Sequence, residues 1–252
     1  MKHKLIILAA AGVAAVSVQA AQALELKMSL APPAQSPPGK YALRLAEQVK
    51  KESGGKLTIK VFFNNQLGGS EQNVIRQIVR GRIDMGMNSN TAISLVAPEF
   101  ALLTAPYLWT SLKEADCVAD KHLLPVYDEL LQKGGVVALT WVEIGQHILF
   151  AKDKTIKTPA DLSGVKFRTA PTKTDTIYLQ TAGANAIPLG TAESMPALKT
   201  GVVSGASFPI VFGLAVGYHK VAPNITVTKH SHQIGAVIIS KKVWNRLSKE
   251  QQ

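Results

Sequence analysis

A single cysteine, Cys117, excludes any internal disulfide, so the fold has to stand on its apolar core. Set in a helical stretch, it is expected to behave as a small buried hydrophobe. Acidic residues are scarce beside basic ones, 17 against 28, and the formal net charge of +11 turns attention to anionic partners. Yet the chain has no Lys or Arg run and no basic stripe interleaved with aromatics. Its basic residues come singly or in pairs such as Lys50-Lys51 and Lys241-Lys242, which argues against nucleic acid. Charged residues make up only 18% of the chain and hydrophobic ones 46%, which excludes a disordered protein. No G-x-G-x-x-G and no G-x-x-x-x-G-K-[ST] occurs, so nothing supports a glycine loop that cradles phosphate.

The one long apolar run is N-terminal. Lys2 and Lys4 precede Leu5 to Val18, and the run ends in Ala21-Gln22-Ala23, a small-x-small cleavage pattern. Residues 1–23 therefore read as a secretory signal peptide, cleaved after Ala23, and the periplasm is the expected location. Loss of Lys2 and Lys4 leaves 26 basic against 17 acidic residues, a mature charge of +9. No later stretch approaches the ~20 apolar residues of a membrane span. At roughly 100–200 residues per domain, the 252-residue chain has room for one large or two medium domains.

From Leu24 the pattern alternates strand and helix. Leu24–Ala31 reads as a strand, and a proline-rich loop (Pro32, Pro33, Pro37, Pro38) leads to a helix with Tyr41, Leu45 and Val49 on one face. Leu57, Ile59 and Val61 alternate with polar residues, Ser70 caps a helix that exits at Gly81, and Ile83–Met87 is strand-like. Ser111-Leu112-Lys113-Glu114 is a capping box that opens a helical stretch to Lys133, broken at Pro125 and followed by the strand Val136–Val142. The second half alternates likewise, with strand Ile148–Ala151, a short helix at Pro159–Leu162 and strand Val165–Arg168. Helix Thr174–Ala182, strand Ala186–Leu189 and a short helix Ser194–Lys199 with Pro196 in its first turn come next. Two strand-like segments, Ile225–Val227 and Ile234–Ile239, precede a helix that starts at Trp244. This alternation without a linker predicts two α/β lobes joined by crossing strands.

Few residues signal chemistry. Gly205-Ala206-Ser207-Phe208-Pro209 is the nearest approach to a nucleophile elbow, but it carries Pro where the tight turn wants Gly. His230-Ser231-His232 would place two imidazoles on one strand face, a possible metal edge, though a solvated strand end beside Lys229 is the plainer reading. An exported hydrolase-like enzyme using Ser207 or a site around His230 and His232 therefore stands as the alternative function. Arg168 is different: it ends a predicted strand, where open α/β sheets bind ligands, and a guanidinium there can grip a carboxylate through two parallel hydrogen bonds.

Thr158-Pro159-Ala160-Asp161-Leu162-Ser163-Gly164-Val165-Lys166-Phe167-Arg168 looks like a "paDLkGlKiR" signature. Gly183-Ala184, Pro188, Glu193, Ala197-Leu198 and Thr200-Gly201-Val202-Val203 follow in matching order, and Gln66-Leu67-Gly68, Gly81-Arg82-Ile83-Asp84-Met85 and Pro106-Tyr107-Leu108 support them. Over essentially the whole mature chain, the sequence resembles the extracytoplasmic solute-binding proteins of tripartite ATP-independent periplasmic (TRAP) transporters, of the dicarboxylate-binding type.

That resemblance implies a two-lobed periplasmic binding protein fold, with mixed, mainly parallel sheets and crossing hinge strands. The expected lobes are 24–145, completed by about 233–252, and 146–232. It implies a non-catalytic monomer, without cofactor or metal, that binds a small organic acid and delivers it to a TRAP membrane permease. Arg168 matches the family arginine that pairs with the carboxylate, and His147 stands where many members carry a second arginine, a weaker and pH-sensitive contact. Asn88 and Ser89 match a position that faces the ligand, and Gln66, Glu143, Ser207 and Phe208 complete the candidate set. Ser204, Ser207 and Phe208 replace the Asp, Glu and Asn of the family's "vDGqENp" segment, which leans toward a monocarboxylate with an apolar or aromatic body. Members usually continue for several helices past the segment matched by Leu247–Gln252, so the chain is expected to be shortened relative to them.

Overall fold

Helix ends fall where side chains can satisfy the exposed backbone groups. Ser36 caps α1 (Pro37–Glu52), its Oγ accepting from the Gly39 N–H at 3.2 Å, and two prolines occupy the first turn, whose N–H groups need no intrahelical partner. Ser70 caps α2 (Glu71–Arg80) in the same way, and Gly81 ends it at φ 74°, a left-handed conformation that suits glycine. The computed structural model describes residues 23–252, so all but the last residue of the expected signal peptide lies outside the described residues.

In chain order the strands are β1 (Leu24–Leu30), β2 (Leu57–Phe62), β3 (Met85–Ser89), β4 (Val136–Ala151), β5 (Lys166–Thr169), β6 (Asn185–Pro188), β7 (Gly205–Pro209) and β8 (Asn224–Ser240). Beyond α1 and α2, the helices are α3 (Asn90–Ile93), α4 (Leu112–Val118), α5 (Leu124–Lys133), α6 (Lys173–Thr181), α7 (Thr191–Thr200), α8 (Ile210–Ala215), α9 (Tyr218–Val221) and α10 (Lys241–Trp244). The eight strands of the described residues join one sheet in the order β2-β1-β3-β8-β4-β7-β5-β6. Its two ends are parallel (β1 with β2 and β3, β5 with β6 and β7), and its middle is antiparallel, β8 pairing with β3 and β4, and β4 with β7.

Apolar clusters cover both faces at each end of the sheet. Val74, Ile75, Ile78, Phe100 and Leu131 pack on one face of the first half, and Leu26, Met28, Met85, Val137 and Val237 on the other. Phe150, Leu198, Phe208 and Tyr218 form one core of the second half, and Leu149, Leu162, Phe167 and Leu179 the other. At about 25 cal/mol per Å² of apolar surface, such burial is the main stabilising term in a chain with no disulfide.

Several expectations need correction. Val136–Val142 and Ile148–Ala151 are parts of one 16-residue strand, and the two C-terminal strand segments are parts of one of 17. Alternation fades between those parts because the β4–β8 ladder shifts register at Ala138/Thr140, Glu143/Gly145 and His147/Leu149. Helix α7 starts at Thr191, which puts Pro196 inside the helix rather than in its first turn. Trp244 ends α10 instead of opening a helix. Cys117 is exposed on α4, not a buried hydrophobe.

Close packing at the sheet centre makes a testable demand. A Cβ on Gly235 would lie 2.4 Å from the Asn88 carbonyl oxygen and 2.8 Å from Ile144 Cδ1, and the backbone oxygen cannot swing aside. Gly235→Ala is expected to cost about 1–3 kcal/mol, lowering Tm by about 2–12 °C in a melt followed by circular dichroism. An unchanged Tm would show that the β3–β8 pair opens at no cost.

Candidate functional site

The C-terminal ends of β3, β5 and β7 meet the middle of β4 and β8 around a cleft of about 600 Å³. Strand C-termini of parallel sheet ends carry loops and helix N-termini rather than packed side chains, which leaves room for a ligand there. The wall is predominantly apolar: Pro32, Pro37, Trp141, Phe208, Phe212 and Val211 border it, with Arg168, Asn88, Glu71, His147, Arg44 and Gln233 among the polar groups.

Arg168 is the penultimate residue of β5, one short of the strand end expected from the sequence, and is only 2% exposed. Its Nε donates to the Leu189 carbonyl at 2.9 Å and one Nη to the Ser207 carbonyl at 3.0 Å, while its guanidinium carbon lies 3.9 Å from the Phe208 ring centroid. These contacts fix the plane of the guanidinium; among the described residues no carboxylate pairs with it. Burial lowers its pKa to about 10, opposed by the more distant Tyr218, Asp175 and Glu71, so it stays cationic at neutral pH. A desolvated cation with donors to spare is a site for an anion.

Opposite it, Glu71 begins α2 and is buried against β3. Its carboxylate accepts from the Ser89 N–H at 2.6 Å and from Ser89 Oγ at 3.0 Å. Burial raises its pKa, with the Ser89 hydrogen bonds and the field of Arg168 acting the other way. Asn88 also borders the cleft; it lies near enough to Glu71 to stabilise the carboxylate, yet neither amide atom makes a hydrogen bond of normal geometry. An amide left so is free to serve a ligand oxygen.

His147 does not stand in the cleft as a cation. It is 2% exposed, and burial lowers its pKa. Its Nε2 meets Gln233 Oε1 at 3.2 Å and its Nδ1 meets Ser207 Oγ at 3.0 Å; Ser207 Oγ in turn meets His230 Nε2 at 3.1 Å, and His230 Nδ1 meets Thr228 Oγ1 at 2.6 Å. Because Gln233 donates from Nε2 to Thr91 Oγ1 at 3.1 Å, its Oε1 is an acceptor and His147 Nε2 carries the proton. Every later donor follows: Ser207 donates to His147, His230 to Ser207, and Thr228 to His230. In this order each imidazole is neutral, in accord with the burial that lowers the pKa of both. Burial and the neighbouring His147 push the His230 pKa down to about 3.

The same hydrogen-bond chain disposes of two other expectations. Ser207 sits in the middle of β7, 2% exposed and outside the cleft lining, so it is not a nucleophile on a strand-to-helix turn. His230 and His232 are buried rather than a solvated strand end, and they do not act as a pair. Lys229 adopts φ 48° and breaks the alternation, so His230 turns toward Ser207 and stacks on Tyr178 at 4.7 Å, whereas His232 faces Glu143.

Of the remaining candidates, Phe208, Ser89 and Glu143 border the cleft, and Gln66 lies exposed on the turn after β2, outside its lining. Glu71, Trp141, Gln233 and the wall from Pro32 to Pro38 were not legible as site residues. Only the proline loop carried a signal, as a loop that ends a strand.

Residues 28–252 match the model of the DctP family, bacterial extracellular solute-binding protein family 7. The chain is 26% identical over 205 residues to a solute-binding protein of Verminephrobacter eiseniae, covering 80% of this chain but only 60% of the relative's length. Among solved structures, the sugar acid binding protein DctPAm of Advenella mimigardefordensis in complex with galactonate superimposes with a TM-score of 0.88 at 27% identity, over 91% of this chain and 74% of that one. A TRAP periplasmic solute-binding protein of Sulfurospirillum deleyianum with bound succinate gives a TM-score of 0.86 at 26% identity, over 90% and 73%. The α/β sheet with its crossing strands is thus the fold of two-lobed periplasmic binding proteins, and the chain belongs to the DctP family of bacterial extracellular solute-binding proteins.

Proposed function

We propose that this protein is a periplasmic receptor that binds a small organic acid and delivers it to a TRAP-type membrane permease, with no turnover of its own. The reading rests on one observation: a buried, pre-oriented guanidinium, Arg168, without a carboxylate partner among the described residues, facing a cleft of about 600 Å³. The relatives support it, since similar chains hold galactonate and succinate. In this reading the lobes are residues 24–145, completed by about 233–252, and residues 146–232. The chain acts as a monomer whose signal peptide is removed after Ala23.

The site favours a monocarboxylate with an apolar body. A second carboxylate would need a second desolvated cation; Arg44 borders the cleft from α1 but is exposed, and His147, at the place where one is expected, is held neutral by burial. The ligand carboxylate is assigned to Arg168 and an adjacent oxygen to Asn88. Its apolar remainder lies between Trp141, Phe208 and Phe212.

A thermal-shift titration against monocarboxylates, dicarboxylates, aromatic acids and sugar acids tests the class, since a ligand at 100 times its Kd adds about 2.7 kcal/mol. Apolar monocarboxylates are expected to give the largest rise, and a larger rise from sugar acids would overturn the assignment of the ligand body. Arg168→Ala is expected to weaken binding by about 2–5 kcal/mol, erasing the shift.

The pH dependence has a definite sign. A lowered imidazole pKa keeps His147 neutral above its unfolded value of ~6.5 and for some distance below it. Carboxylate affinity measured by calorimetry is therefore expected to change by no more than about twofold between pH 6 and 8. A tenfold tightening at pH 6 would mean that His147 takes up a proton with the ligand and acts as a second cation after all.

A further inference from the structure

Where the crossing strands meet α4, three side chains from three elements converge: Asp116 of α4, Glu143 of β4 and His232 of β8. Their ligand atoms all lie within 4.8 Å of one another. The His232 side chain is 4% exposed, and its Nε2 stands 3.0 Å from Glu143 Oε2 without the alignment of a hydrogen bond. Neither ring nitrogen has a hydrogen-bond partner among the described residues. A buried imidazole stripped of water and left without a hydrogen bond is costly, and a ring nitrogen standing beside two carboxylates is an arrangement that a cation would satisfy.

From this geometry we infer a divalent-cation site built from His232 Nε2, Glu143 and Asp116. One imidazole nitrogen with two carboxylate oxygens is a donor set for Zn²⁺ and similar borderline metals, whereas Mg²⁺ and Ca²⁺ prefer oxygen alone. Bonds near 2.1 Å at tetrahedral angles put ligand atoms about 3.4 Å apart. His232 and Glu143 are already that close, and Asp116, being exposed, can pivot the rest of the way; water fills the fourth position. Backbone geometry prepares the site, because the register shift at Glu143/Gly145 re-aims Glu143 next to His232, although their Cα partners are Ile234 and Gln146. Such a cation would clamp α4 onto the crossing pair.

Calorimetric titration of the full chain, freed of metal, with ZnCl₂ alone tests the site. One saturable Zn²⁺ per chain is expected, and His232→Gln and Asp116→Asn are each expected to weaken it at least tenfold, about the least that outer-shell partners cost. Asp116 is exposed, so Asp116→Asn keeps the fold even where the buried histidine variant does not. Absence of saturable binding, or undiminished affinity in either variant, overturns the proposal. Carboxylate binding measured in EDTA is expected to be the same for Asp116→Asn as for the unaltered chain, which keeps this test separate from that of the cleft.

Discussion

Everything in this molecule hangs on the antiparallel pairing of β4 with β8, two strands of 16 and 17 residues that run through both halves. Each parallel end of the sheet joins this pair, through β3 on one side and β7 on the other. A parallel sheet end offers its ligand crevice at the strand C-termini. Because the crossing pair turns the two ends toward each other, the crevices at β3, β5 and β7 open on a common cleft. The same two strands carry His147, Glu143, His232 and Gln233, so the polar chain, the cation cluster and part of the cleft wall are neighbours by construction.

Charge is placed against the usual preferences. A buried guanidinium costs several kcal/mol of hydration, and here it is offset by two carbonyl acceptors, an aromatic face and distant acids rather than by an ion pair. That leaves the arginine stable in its orientation and electrostatically unsatisfied. Nearby, two histidines are kept neutral chiefly by burial. Of the cations bordering the cleft, Arg168 is buried and Arg44 exposed, while His147 beside Arg168 is kept neutral, so an anion meets one desolvated positive charge there.

Much of this was legible in the sequence. Caps at Ser70 and Ser111, the exit at Gly81, and the period of Tyr41, Leu45 and Val49 place elements through local interactions that act within a few residues. Arg168 was legible because it stands near the C-terminal end of a strand, where open α/β sheets bind ligands, and closes a stretch that resembles the family signature. What stayed hidden depends on contacts distant in sequence. Glu71 looks like any acidic first-turn residue until β3 buries it, and His147 and Ser207 reveal their roles only when β4, β7 and β8 align. The crossing strands themselves look like separate pieces because Glu143–Gln146 and Lys229–Ser231 break the alternation that marks a strand. The interrupted stretches are where the ladder shifts register.

Those interruptions have a mechanical consequence. A continuous antiparallel ladder resists bending because every residue pair shares the load, and a bent ladder breaks hydrogen bonds in proportion to the angle. In β4 and β8 the ladder already shifts register at three places, and Lys229 adopts a left-handed φ of 48° near the last of them. Bending at such irregular points would cost less than bending a regular ladder, so any change in the angle between the two ends of the sheet would concentrate at Ala138–Thr140, Glu143–Gly145 and His147–Leu149.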